Sequence, residues 1–192
     1  GVHIDTTETE FKITTQPKKP SEIILYESGD TVTENVLMAA ALTPTTTTIK
    51  YASANYQVQE MCAFLKVCGV DIQGIGTSTL VVTGVSVLNQ DIEYTLSEDP
   101  TDSMFFLATA IVTNSSITIK RCPIEFLELE LLKLEKMGFK YTKTKPYLAH
   151  NGLTKLVDIT TKPSKLTALH EKIHPSVYPG LNIDNLPFFA VI

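Results

Sequence analysis

Near its C-terminal end the chain carries a carboxylate just past a turn, in Tyr178-Pro179-Gly180-Leu181-Asn182-Ile183-Asp184. A carboxylate suits general-base work when it stands within hydrogen-bond reach of the proton it takes and burial raises its pKa. Asp184 also opens an apolar run, LPFFAVI, where an Asp commonly caps a helix by accepting a backbone N–H. The residues alone leave both roles open, and one side chain can hold both. Cys122, just ahead of a helix start, could have a lowered pKa. It sits in an ordinary strand-to-helix turn and reads as structural. Cys62 and Cys68 fall in an apolar helical pattern and read as small core residues. His170 and His174 have i, i+4 spacing, yet no carboxylate-rich partner helix accompanies them, so no metal site is expected. Lys162, Lys165 and Lys172 make a mildly basic stretch, read as a solvated surface.

The 192 residues include 16 basic and 21 acidic side chains, a net charge of −5. That balance disfavours a general nucleic-acid binder, which needs a basic face to displace counterions. With 43% hydrophobic and 19% charged residues, the chain can build a real core. No apolar run approaches the roughly 18 residues of a membrane span, so no membrane partner is expected. The opening GVHIDTTETE has no signal-peptide pattern, and the expected compartment is the cytoplasm.

One pattern occurs twice. The first copy predicts a strand over 22–26, a helix over 34–42, a strand ending Thr48-Ile49-Lys50, a helix over 57–68, and short strands at 71–73 and 79–83. The second predicts a strand over 91–96, a helix over 103–112, a strand ending Thr118-Ile119-Lys120, a helix over 124–137, and strands at 139–143 and 155–159. The two Thr-Ile-Lys strands lie 70 positions apart; Gly69 and Gly138 lie 69 apart. Such a period suits a compact βαβαββ unit. Val58, Met61, Cys62, Leu65 and Cys68 form one helical apolar stripe. Gly69 and Gly138 stand where a helix needs a left-handed closing residue. Thr31 and Glu34 have capping-box spacing, Asp99-Pro100 signals a helix start, and Pro123 suits a first helical position. A third copy is expected to start near Ser164, with its first helix beginning at 182–184. Val2-His3-Ile4-Asp5 parallels Val70-Asp71-Ile72, as though an earlier copy ends there. The chain is therefore expected to be a piece of a longer protein.

Several segments, in order, carry a resemblance to a known family: TVTENVLMAAAL, a TTIK strand, FLKVCGVDIQGIGTSTLVVTGV, and YPGLNID. The chain resembles the enolpyruvyl transferases, most nearly the branch that moves the enolpyruvyl group of phosphoenolpyruvate onto the 3-hydroxyl of UDP-N-acetylglucosamine in peptidoglycan precursor synthesis. The resemblance implies an α/β fold of repeated βαβαββ units in a two-lobed inside-out barrel, incomplete in this chain. Residues 1–95 would be the last part of one lobe and 96–192 part of the second, with the active site in the cleft between lobes. By the same resemblance Asp184 is the catalytic base. Gly29, Asp30 and Thr31 align with the stretch that meets the nucleotide phosphates, where free N–H groups at a helix N-terminus bind anions. No metal and no organic cofactor is implied. The partners implied are the two substrates and the remainder of the same enzyme. The family's loop cysteine would precede Gly1, its phosphoenolpyruvate-binding lysine and arginines would also lie outside this chain, and the fragment alone is expected to be inactive. The chain departs from the family pattern at Glu27, at Asp30, and at Ala54-Asn55-Tyr56-Gln57, where relatives carry Arg-Glu-Pro-Glu. Those departures keep two alternatives open: a shikimate-pathway enolpyruvyl synthase, in which Asn182 would replace the base, and a degenerate repeat domain acting as a binding module.

Overall fold

The computed structural model describes residues 2–15, 21–89 and 91–192. Strands β1 (Val2–Thr6) and β2 (Phe11–Thr15) pair antiparallel as a separate hairpin. The first unit follows with β3 (Glu22–Ile24), α1 (Asp30–Ala41), β4 (Thr46–Lys50), α2 (Tyr56–Val67), β5 (Asp71–Gln73) and β6 (Thr79–Thr83). Its sheet runs β3-β4-β6-β5. β3 and β4 are parallel, so α1 is their crossover, as a parallel pair requires. The second unit comprises α3 (Pro100–Val112), β7 (Thr118–Pro123), α4 (Glu128–Met137), β8 (Lys140–Lys143), β9 (Tyr147–Leu148) and β10 (Lys155–Lys162). Its sheet runs β7-β10-β8, with β9 also paired to β10.

Each unit has its own core. In the first, Leu37 and Ala41 of α1 and Val58, Cys62 and Leu65 of α2 pack against Ile49, Ile72, Leu80 and Val82 of the sheet. In the second, Met104 and Leu107 of α3 and Leu131 and Leu134 of α4 cover Ile119, Val157 and Ile159. Alternation along β4 and β6, with Ile49, Leu80 and Val82 buried and their neighbours outward, shows one face of that sheet covered. All three cysteines are buried and free. No described helix is long and apolar enough to cross a membrane.

The local signals worked where geometry left one solution. Gly138 closes α4 at φ 105°, with Phe139 N–H donating to the Leu134 carbonyl, the left-handed closure that glycine alone adopts at no steric cost. Asp99 caps α3: its Oδ1 accepts from Thr101 N–H at 2.7 Å, and Pro100 follows at the first helical position. Asp99→Ala should therefore lower stability by about 1 kcal/mol. The check is a drop in the urea midpoint with the slope unchanged.

Five expectations need correction. Residues 91–96 form no strand; the segment is irregular, and its Tyr94 hydroxyl donates to Glu60 of α2. The Thr31–Glu34 capping box does not form. α1 begins earlier, at Asp30 with Gly29 as cap, and Thr33 Oγ1 donates to the Gly29 carbonyl at 2.7 Å. The helix expected over 124–137 is two pieces, a 3-10 turn at Ile124–Phe126 and α4 from Glu128. Pro123 ends β7 instead of starting a helix. The helix expected from 182–184 is a 3-10 turn, Ile183–Asn185, running into the short helix α5 (Leu186–Val191).

The two units meet through the irregular segment 91–99. Glu60 of α2 accepts from Tyr94 Oη at 2.9 Å, from Ser97 N–H at 2.9 Å and from Asn151 Nδ2 at 3.0 Å. One carboxylate thus ties the first unit to the connecting segment and to the second unit. A β-bulge opposite Asp158 accompanies a left-handed Arg121, φ 61°, whose side chain pairs with Glu98 on the connecting segment.

Candidate active-site cleft

A cavity of about 600 Å³ opens where the two units face each other. Ser28, Gly29, Asp30, Ser53 and Asn55 line it from the first unit, and Glu125, Glu128 and Glu130 from the second. The loop 175–183 closes it, with Tyr178, Asn182 and Ile183 in the wall. Two segments about 150 positions apart in the sequence, both singled out by the resemblance, therefore face one space.

On the first unit's side the N-termini of α1 and α2 are joined by hydrogen bonds. The Asp30 carboxylate accepts from the Ser53 hydroxyl and, at 2.9 Å, from Asn55 Nδ2. Ser53 N–H donates to Thr33 Oγ1 at 2.9 Å, and Asn55 caps α2 through Tyr56 N–H. Asp30 lies at the positive end of α1, where a negative charge is stabilised. Its charge is engaged by neutral donors rather than left bare toward the cavity. Burial raises the Glu34 pKa, and the Asp30 charge raises it further. Of the three residues expected to meet phosphate, Gly29 and Asp30 line the cavity and Thr31 is exposed outside its lining.

On the other side the turn carrying Asp184 is tightly bonded. Asn182 Oδ1 accepts from Asp184 N–H at 3.0 Å, so the cap is Asn182 and not Asp184. The Asp184 carboxylate is exposed and has no hydrogen-bond partner among the described residues. Asp184 is not itself in the cavity lining, but the two residues before it are. Its charge is felt by Tyr56, at the start of α2 across the cleft: burial, with help from the Asp99 and Asp184 carboxylates, pushes that phenol up to about 12. Tyr56, Phe126 and Tyr178 form a row of rings with centroids 5.9 and 5.4 Å apart, spanning the two units. Burial first, then Glu125 and Glu128, raise the Tyr178 pKa.

Cys122 is fully buried and makes a weak bond from Sγ to the Ile119 carbonyl at 3.5 Å. Burial pushes its pKa up, the opposite of what an acid acting near neutral pH needs. His170 and His174 are exposed, and no group of three or more His, Cys, Asp or Glu that could hold a metal ion occurs among the described residues.

Sequence reasoning missed Glu130. It is 2% exposed, accepts from Asn185 Nδ2 at 2.9 Å and from Asn182 N–H at 3.4 Å, and lines the cavity. Its signal was present: Leu127, Glu130, Leu131 and Leu134 repeat at helical spacing, so a charge sits on the core-facing stripe of α4. A charge there needs partners, because an unpaired buried charge is costly.

Residues 1–191 match the family described as EPSP synthase (3-phosphoshikimate 1-carboxyvinyltransferase). Among individual relatives, a UDP-N-acetylglucosamine 1-carboxyvinyltransferase of Idiomarina loihiensis is 31% identical over 166 residues, 85% of this chain and 39% of the relative. A UDP-N-acetylglucosamine 1-carboxyvinyltransferase 2 of Prochlorococcus marinus is 34% identical over 163 residues, 83% of this chain and 35% of the relative. The chain thus spans well under half the length of these relatives. Among solved structures, the enolpyruvyl transferase NikO from Streptomyces tendae superposes with a TM-score of 0.73 at 20% identity, over 98% of this chain and 45% of that one. An EPSP synthase from Acinetobacter baumannii gives 0.66 at 20% identity, over 90% and 39%. At that identity the structural likeness establishes the fold alone, and the family rests on the match over residues 1–191: the chain belongs to the EPSP synthase family of enolpyruvyl transferases.

Proposed function

We propose that this chain is part of an enzyme that transfers the enolpyruvyl group of phosphoenolpyruvate to the 3-hydroxyl of UDP-N-acetylglucosamine, a step of peptidoglycan precursor synthesis in the cytoplasm. The remainder of the same enzyme would supply the groups that bind phosphoenolpyruvate. Residues 1–95 belong in this reading to one lobe and 96–192 to the other. The carrying observation is the shared cavity: Gly29 and Asp30 at the start of α1 line the same space as Asn182 and Ile183 of the turn before Asp184. The names of relatives 31–34% identical over most of this chain support the acceptor.

The chemistry is addition followed by elimination. Asp184 takes the proton of the sugar 3-hydroxyl, and that oxygen attacks C2 of phosphoenolpyruvate while an acid outside this chain protonates C3. A tetrahedral adduct results. Loss of a proton from C3 and departure of inorganic phosphate from C2 restore the double bond. Gly29 and Asp30 hold the acceptor on the other wall, through backbone N–H groups at the α1 N-terminus; Thr31, expected to join them, lies outside the cavity lining.

The test is acceptor choice by the protein that carries this chain. Phosphate release from phosphoenolpyruvate should depend on UDP-N-acetylglucosamine and not on shikimate 3-phosphate. The reverse preference would replace this reading with the shikimate-pathway one. One observation favours a further alternative, a non-catalytic binding module. Asp30, Glu125, Glu128 and Glu130 line the cavity, and no Lys or Arg does so among the described residues, which is unfavourable for a diphosphate. Release with neither acceptor, in a folded protein, would favour it.

A further inference from the structure

A buried carboxylate is worth explaining, because taking a charge from water costs several kcal/mol unless hydrogen bonds replace it. Glu130 projects from the core-facing stripe of α4 and is 2% exposed. Its Oε1 receives the side-chain amide of Asn185 at 2.9 Å and the backbone N–H of Asn182 at 3.4 Å. These two residues flank Asp184 and are bonded to each other, Asn185 N–H to the Asn182 carbonyl at 3.1 Å. Asn182 Oδ1 in turn holds Asp184 N–H at 3.0 Å. The residues on both sides of Asp184 are therefore fixed to one oxygen of α4. Asn185 is fully buried, and its Oδ1 has no hydrogen-bond partner among the described residues. The amide spends its NH₂ on Glu130 and leaves its oxygen unpaired. The bond to Glu130 is what sets its orientation, since a carboxylate only accepts.

We infer that Glu130 is a positioning residue: through Asn182 and Asn185 it holds the 182–185 turn so that the Asp184 carboxylate is presented to the acceptor hydroxyl. The inference rests on the reading of Asp184 as general base. A base on a loose turn loses much of its effect, and a displacement of about 1 Å can cost about 100-fold. A helix is a rigid mount for such a turn, and an acidic anchor accepts two N–H bonds without competing as a donor. Neither Asn182 nor Asn185 needs to touch substrate for this to work.

The experiment compares Glu130→Ala, Glu130→Gln, Asn185→Ala and Asp184→Asn in the protein that carries this chain. Glu130→Ala should lower kcat about 10–100-fold, with the KM for phosphoenolpyruvate within about twofold, since that substrate is bound elsewhere. Glu130→Gln retains an accepting Oε1 and should recover most of the loss. Asn185→Ala should share the kcat-only signature, and the double variant Glu130→Ala/Asn185→Ala should be no worse than the poorer single one. Hydrogen exchange at the Asn182 amide should be faster in Glu130→Ala than in Glu130→Gln. A merely structural role predicts instead losses that follow the folded fraction, no rescue by Gln beyond restored stability, and equal exchange at Asn182; any of these overturns the inference. If Glu130→Ala fails to fold, Asn185→Ala and Glu130→Gln carry the same kinetic test. Activity lost in Asp184→Asn but unchanged in Glu130→Ala and Asn185→Ala sinks the positioning role alone. Activity retained in Asp184→Asn sinks the base assignment on which it rests.

Discussion

In the enzyme proposed above, Asp184→Asn should lower kcat for enolpyruvyl transfer by about 10²–10⁴-fold, the range that general-base catalysis supplies. Asparagine has nearly the same shape, so the turn survives. The side chain is exposed and makes no hydrogen bond to the described residues, while the capping bond uses its backbone N–H. Stability should therefore move by less than about 0.5 kcal/mol, as for other surface changes. The lost property is the ability to take a proton. The measurement is steady-state phosphate release beside a denaturant curve. A large fall in rate with the midpoint unchanged is expected; an equal fall in both would move Asp184 from chemistry to structure.

The second large effect concerns the join between the units. Glu60→Ala removes the acceptor for the Tyr94 hydroxyl, the Ser97 N–H and the Asn151 amide at once. All four residues are half-buried, so water replaces only part of what is lost. Stability should fall by about 2–3 kcal/mol, less than three independent bonds to a charged group would suggest. A spectroscopic sign should accompany it. Burial and the neighbouring Glu60 charge hold the Tyr94 pKa well above the usual phenol range. Without Glu60 the phenol ionises at lower pH, which phenolate absorbance follows. Folded and unfolded values differ in the raised direction. That contribution to stability is therefore complete below the unfolded phenol pKa and is lost as pH rises through the folded one. A variant as stable as the parent, with an unmoved tyrosine titration, would mean that Glu60 does not hold the units together.

How much of this was readable from residues alone depends on how local the cause is. Asp99, Gly69 and Gly138 act within one turn of their own helices, and each does what its type predicts. The stripe of Val58, Cys62 and Leu65 is buried as its spacing requires. Errors had more than one cause. The segment 91–96 alternates like a strand but pairs with none; Glu60, 34 positions away, accepts from its Tyr94 hydroxyl. Thr31 and Glu34 have the spacing of a capping box, but Thr33 bonds back to Gly29 and the helix starts one residue after that glycine. The cleft was legible only as two separate short segments. That Ser53 and Asn55 would hold Asp30, or Glu130 the turn at 182–185, follows from packing across 23 to 55 positions, which spacing along one strand or helix does not reveal.

The most direct test is the structure of the whole protein with its acceptor bound. With UDP-N-acetylglucosamine in the cleft, one Asp184 carboxylate oxygen should stand about 2.6–3.2 Å from the 3-hydroxyl, directly or through one water, and the nucleotide should reach the wall formed by Gly29 and Asp30. A sugar bound with its 3-hydroxyl turned away from Asp184, or bound outside this cavity, would contradict the account.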